Sequence, residues 1–110
     1  MSDYSEKQKR DVWEKAKVVV GYEKDKDRYR QDFAGAWIEW SKYGDNSSSL
    51  GWNIDHVKPL SQNGADNISN WVPIQWENNL KKADNYPKFE TAVTSEENKN
   101  IYKTVKWECN

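Results

Sequence analysis

GWNIDHVKPLSQNGADNISNWVPIQWENNLKKADNYP, residues 51–87, is the stretch on which the fold turns. Trp52-Asn53-Ile54-Asp55 alternates apolar and polar residues, as a half-buried strand does. Ser61 to Asn67 is polar and turn-forming, with Gly64 available for a positive φ. Trp71-Val72-Pro73-Ile74-Gln75-Trp76 reads as a second strand, and Pro73, which has no N–H to donate, confines it to an edge or a bulge. Glu77 to Asp84 holds good helix formers and ends before Tyr86-Pro87, where a helix must stop. Strand, loop, strand and helix predict a compact ββα unit over residues 51–85.

Working outward, Ser5 and Gln8 form a capping box at the start of a helix. Val12, Ala16, Val19 and Val20 follow at helical spacing with Trp13 on the flank, and Gly21 is a natural stop. The expectation is a helix over residues 6–20. Tyr22 to Asp32 is dense in alternating charge and reads as a loop or a short solvated helix. Gly35 opens Ala36-Trp37-Ile38-Glu39-Trp40, an aromatic and β-branched run suited to a strand. Gly44 to Ser49 is a loop. Phe89, Thr91 and Val93, then Ile101, Val105 and Trp107, predict a hairpin turning near residues 96–100; the alternative is a short helix capped by Thr94 with Glu97. There is no internal repeat and no dividing linker. The expectation is one α+β domain over residues 1–110.

Composition narrows the class. The chain has 110 residues with seven Trp and six Tyr, so the core is expected to rest on aromatics. Charged residues make up 32% and mean hydropathy is -1.17, which leans towards disorder. The spread of Trp from Trp13 to Trp107 argues against it. A net charge of -1 gives no global basic field to recruit a polyanion, leaving only a local basic groove. The single cysteine, Cys109, supplies neither a disulfide framework nor a pair for structural zinc. No apolar run approaches the roughly 18 residues of a membrane span, and no signal-peptide h-region is visible. A cytoplasmic location away from membranes is the expectation. Asn46-Ser47-Ser48 and Asn67-Ile68-Ser69 fit the glycosylation pattern, and without a secretion signal they are read as incidental.

The chemistry centres on Asp55-His56, since His56 is the only histidine. Adjacent strand residues point to opposite faces, so the pair shares a site only if the chain bends there. Pro59 and the loop after it allow that bend. A helix packed across both strands would bring Asn79 towards Asp55. A carboxylate and an amide oxygen are hard ligands suited to Mg²⁺. His56 can take a proton from an attacking water, and Asn70 can fix the imidazole or the loop by hydrogen bonding. Asn78 competes with Asn79 for the ligand role. Lys58, Lys82, Arg28 and Arg30 are the candidate phosphate contacts, each weighed against an ordinary solvated position. The Trp residues are read as core rather than base-stacking platforms.

The series Asp55-His56, Pro59, Ser61, Gly64, Asp66, Asn70-Trp71, Pro73, Trp76, Asn78-Asn79, Lys82 and Asp84 resembles the HNH endonuclease motif. The likeness is to the Asp-His…Asn…Asn subgroup of small stand-alone bacterial and phage proteins. It covers residues 35–87. The resemblance implies a ββα-metal core, here with an N-terminal helix and a C-terminal β-hairpin. It implies that Asp55 and Asn79 hold a divalent metal, Mg²⁺ first and Mn²⁺ or Ni²⁺ as alternatives. It makes His56 the general base and Asn70 the central asparagine supporting it. The implied reaction is hydrolysis of DNA phosphodiesters to a 5′-phosphate and a 3′-hydroxyl. The rivals are an RNase on the same fold and a non-catalytic ββα module that binds nucleic acid or protein. Three departures stand out. Asn63-Gly64 replaces the Gly-Gly of many relatives, the last motif letter is Asn rather than His, and the zinc-binding cysteines of many relatives are missing. Trp71 and Trp76 are expected to replace that zinc staple by apolar packing.

Overall fold

The computed structural model describes residues 4–109. Helix α1 spans Glu6–Trp13, and its capping box forms as expected between Ser5 and Gln8. The helix stops well short of residue 20. Lys17 instead exchanges backbone hydrogen bonds with Gln31, at 2.8 and 3.1 Å, which draws the chain into extended pairing. The β-branched run after it resists continued helix. Val20, expected on the buried face, is 89% exposed.

Strands β1 (Tyr29–Gln31) and β2 (Trp37–Glu39) form a small antiparallel pair. The charged stretch from Tyr22 to Asp32 reads from the sequence as a loop or a short solvated helix, yet Arg30 and Asp32 are buried in it. Each is satisfied by the backbone. Arg30 donates to the carbonyls of Lys26, Glu14 and Ala16, gripping the end of α1. Asp32 Oδ1 accepts from the amides of Ala34 and Ala36, which shapes the turn into β2.

Strands β3 (Trp52–His56) and β4 (Trp71–Gln75) pair antiparallel, with His56 opposite Trp71, Asp55 opposite Val72 and Ile54 opposite Pro73. A two-stranded sheet has an open edge on each strand, so Pro73 costs no central ladder bond. Helix α2 (Trp76–Lys82) follows at once, N-capped by the Gln75 side chain. Strands β5 (Lys88–Glu96) and β6 (Lys99–Glu108) then form the expected hairpin. The structure is mixed α and β, as expected from the sequence.

The core is aromatic. Val12, Trp13, Ala16, Ile38, Trp52 and Trp71 cluster together, with Tyr4, Trp40, Tyr43 and Ile54 against them. Trp13 meets Trp52 at 5.3 Å between ring centroids and Trp40 at 5.7 Å, while Tyr43 meets Trp52 edge-on at 5.0 Å. Such offset and edge contacts add about 0.5–1.5 kcal/mol per pair beyond area burial. Among the described residues no helix is long and apolar enough to cross a membrane.

A second set of contacts is polar. Asn78 of α2 donates to Asp32 Oδ2 at 3.1 Å and to the Val93 carbonyl at 2.9 Å, and accepts from the amides of Ala92 and Val93. Asp32 Oδ2 also accepts from the Gln75 amide at 2.9 Å. Fully buried Asn78 and Asp32 thus join α2, β5 and the turn into β2. This corrects the expectation of a purely apolar staple. Trp71 is in the core, but Trp76 is only half-buried and bonds the Ser48 carbonyl.

Candidate active site

Strand β3 ends at His56, and the chain bends at Val57 and Lys58. That bend lets Asp55 and His56 line one cleft of about 220 Å³, with Pro59, Leu60, Ser61, Ala83 and Asp84 as the other walls. The β3–β4 loop is held in shape by Asn70. Its amide nitrogen donates to the carbonyls of Lys58 and Ala65, both at 2.9 Å, and its oxygen accepts from the Lys58 amide at 3.0 Å. Gly64 belongs to the same clasp, since a Cβ there would lie 1.7 Å from the Lys58 carbonyl oxygen. Lys15, just beyond α1, donates to the carbonyls of Ile68 and Trp71 on either side of Asn70.

Two ion pairs set the electrostatics, and neither was foreseen. Lys82 Nζ lies 3.0 Å from Asp55 Oδ2 and also donates to the His56 carbonyl at 3.3 Å. Asp55 Oδ2 is buried, and the Lys82 ammonium is the positive charge set against it. Burial pushes the Asp55 carboxyl up, against the opposing pull of Lys82 and with a smaller push from Asp84. On the other side of the cleft, His56 Nε2 lies 2.9 Å from Asp66 Oδ1. The His56 hydrogen bond holds the Asp66 carboxyl below its ordinary value. An ionised carboxylate only accepts, so a hydrogen bond at this contact needs a proton on Nε2. The ring also packs edge-on to Trp71, at 6.3 Å between centroids.

The structure therefore brings Asp55 and His56 to one cleft and puts Asn70 in the loop behind them. Asn79 lies on α2, half-buried, one turn before Lys82; it is not among the residues lining the cleft, and its side chain makes no hydrogen bond among the described residues. Asn78, its rival, is fully committed to the Asp32 network and has no free oxygen for an ion. Two expected phosphate contacts are corrected. Lys82 is 1% exposed and turned onto Asp55, and Arg30 is buried against backbone carbonyls. Lys58 is exposed; Arg28 is exposed too, over the Tyr29 ring and 3.7 Å from Glu39. Sequence reasoning missed Asp66 and the inward turn of Lys82. A carboxylate in the loop between the histidine and the central asparagine was the available signal for the first.

A model of the HNH endonuclease family matches residues 40–84, from the end of β2 through α2. The HNH segment thus contains the whole β3–loop–β4–α2 unit and every wall of the cleft. Nuclease activity is the general property of such domains. No curated protein and no solved structure matches the chain significantly.

Proposed function

We propose that this chain is a metal-dependent endonuclease that hydrolyses phosphodiester bonds in DNA, with His56 as general base. The observation that carries the reading is the shared cleft of Asp55 and His56, with no hydrogen bond to His56 Nδ1 among the described residues. That nitrogen is free to take a proton from water. As the proton moves to the ring, the water oxygen bonds to phosphorus and the bond to the leaving oxygen breaks. The leaving oxygen is then protonated by solvent.

A divalent ion fits the residues present. Asp55 supplies a hard carboxylate oxygen at the cleft, and an ion there would compete with the Lys82 ammonium 3.0 Å from Oδ2. The Asn79 amide oxygen is uncommitted. Among the described residues no group of three or more His, Cys, Asp or Glu could hold an ion. Asp55 and Asn79 would hold it, with water and a phosphate oxygen completing the shell, which suits Mg²⁺. When bound, the ion supplies stabilisation of negative charge on the phosphate and the leaving oxygen. Lys58 and Arg28 remain as surface contacts for phosphate.

The test is nicking of supercoiled plasmid with added Mg²⁺, Mn²⁺ or Ni²⁺. Wild type is expected to nick, and His56→Ala to lose activity while keeping its fold. Asp55→Ala is expected to weaken metal binding in calorimetry, whereas His56→Ala leaves it nearly intact. Absence of cleavage with every metal overturns the reading. The burial of Lys82 and Arg30 removes cations from the surface of a chain of net charge -1, which favours a rival module without turnover. DNA binding without cleavage would identify that rival, and a preference for single-stranded RNA would mark an RNase.

A further inference from the structure

We propose that Asp66 is the positioning residue of His56, fixing the ring as its Nε2–H tautomer and leaving Nδ1 as the one nitrogen that can accept a proton. The inference rests on the nuclease reading only for its catalytic consequence. Three observations support the pairing. The Nε2–Oδ1 distance is 2.9 Å, a normal charge-assisted hydrogen bond. Among the described residues no other hydrogen bond reaches the ring, so none of them competes to set the tautomer. The backbone that presents Asp66 is itself clamped, since Asn70 Nδ2 holds the carbonyl of Ala65, the residue before it.

The same geometry gives Asn70 an indirect role. Its amide hydrogen-bonds Lys58 and Ala65, and among the described residues no hydrogen bond joins it to the imidazole. It fixes the loop, the loop presents Asp66, and Asp66 orients the ring. Orientation by a second group is a recurring requirement of a working imidazole, because a wrong tautomer offers a donor where an acceptor is needed. When the ring takes up the water proton, the Asp66 carboxylate also faces the charge that develops on it.

The test exploits the single histidine, which gives one imidazole in a nitrogen-15 labelled chain. Two-bond proton–nitrogen correlations are recorded at alkaline pH for wild type, Asp66→Ala and Asp66→Asn. Wild type is expected to show the proton on Nε2. Asp66→Ala should drift to a mixture, and Asp66→Asn should gain the Nδ1–H form, because an amide can also donate to the ring. Asp66 is exposed, so the variants should fold, and Trp fluorescence confirms it. Plasmid cleavage in Mg²⁺ by Asp66→Ala should lose roughly ten-fold or more in kcat with KM unchanged. A wild-type ring protonated on Nδ1, or an unchanged spectrum in Asp66→Ala, overturns the pairing. Unchanged kcat overturns its role in the reaction. If wild type cleaves nothing, the nuclease reading falls while the spectra still judge the pairing.

Discussion

Lys82 gives Asp55 a positive neighbour in a place where water has little access, and the pair holds the end of β3 against α2. Lys82→Met keeps the chain length and removes the charge, leaving a largely buried carboxylate alone. Losing one partner of a buried pair costs about 3–5 kcal/mol, and the partial exposure of Asp55 places this case at the lower end. The pH dependence has a definite sign. A carboxyl raised by burial binds its proton more tightly folded than unfolded, so its cost is fully present above its folded pKa. The cost fades as pH falls towards the ordinary carboxylate value. Urea denaturation of the variant should therefore show a large deficit at neutral pH and a smaller one in acid; a deficit independent of pH would contradict the assignment. Asp66 works in the opposite sense, its lowered pKa adding stability above the ordinary carboxylate value that is lost in acid. Asp55 and His56 were legible in the sequence because they are neighbours in a motif. Their partners were not, because Lys82 and Asp66 reach them through a helix packing and a loop closure that no local pattern encodes.

Helix α2 ends on Ala83, whose φ of 49° and ψ of -139° lie where a side chain is disfavoured. Glycine takes this conformation at little cost, and non-glycine residues there carry on the order of 1–2 kcal/mol of strain. Ala83→Gly is expected to raise stability by about 1 kcal/mol, read as a higher midpoint in urea with an unchanged slope. A lower midpoint would show that the strain is compensated by contacts of the methyl group. The other elements divide by how local their causes are. β3, β4, α2 and the β5–β6 hairpin were legible from alternation, proline placement and turn residues. The early end of α1 was not, because Lys17 leaves the helix to pair with Gln31, a partner outside any helical window. β1 was hidden for a related reason. Its charge density looks solvated until Arg30 is seen to spend its guanidinium on the carbonyls of Lys26, Glu14 and Ala16.

At the scale of the molecule, the HNH segment depends on chain that lies outside it. The family match ends at residue 84, yet Asn78, inside it, exchanges three hydrogen bonds with Ala92 and Val93 of β5. Asp32, before it, holds both Asn78 and the Gln75 amide. A chain cut after residue 87 would lose these three hydrogen bonds, at about 0.5–1.5 kcal/mol each, together with the packing of β5 on α2. That is a large part of the 5–15 kcal/mol that usually stabilises a domain. Far-UV circular dichroism and Trp fluorescence of a 1–87 fragment should report an unfolded chain; a cooperative melt would refute this. The consequence reaches engineering. A catalytic cassette lifted at the motif borders to be fused elsewhere would arrive without its anchorage, and a working transplant must carry the terminal ribbon as ballast.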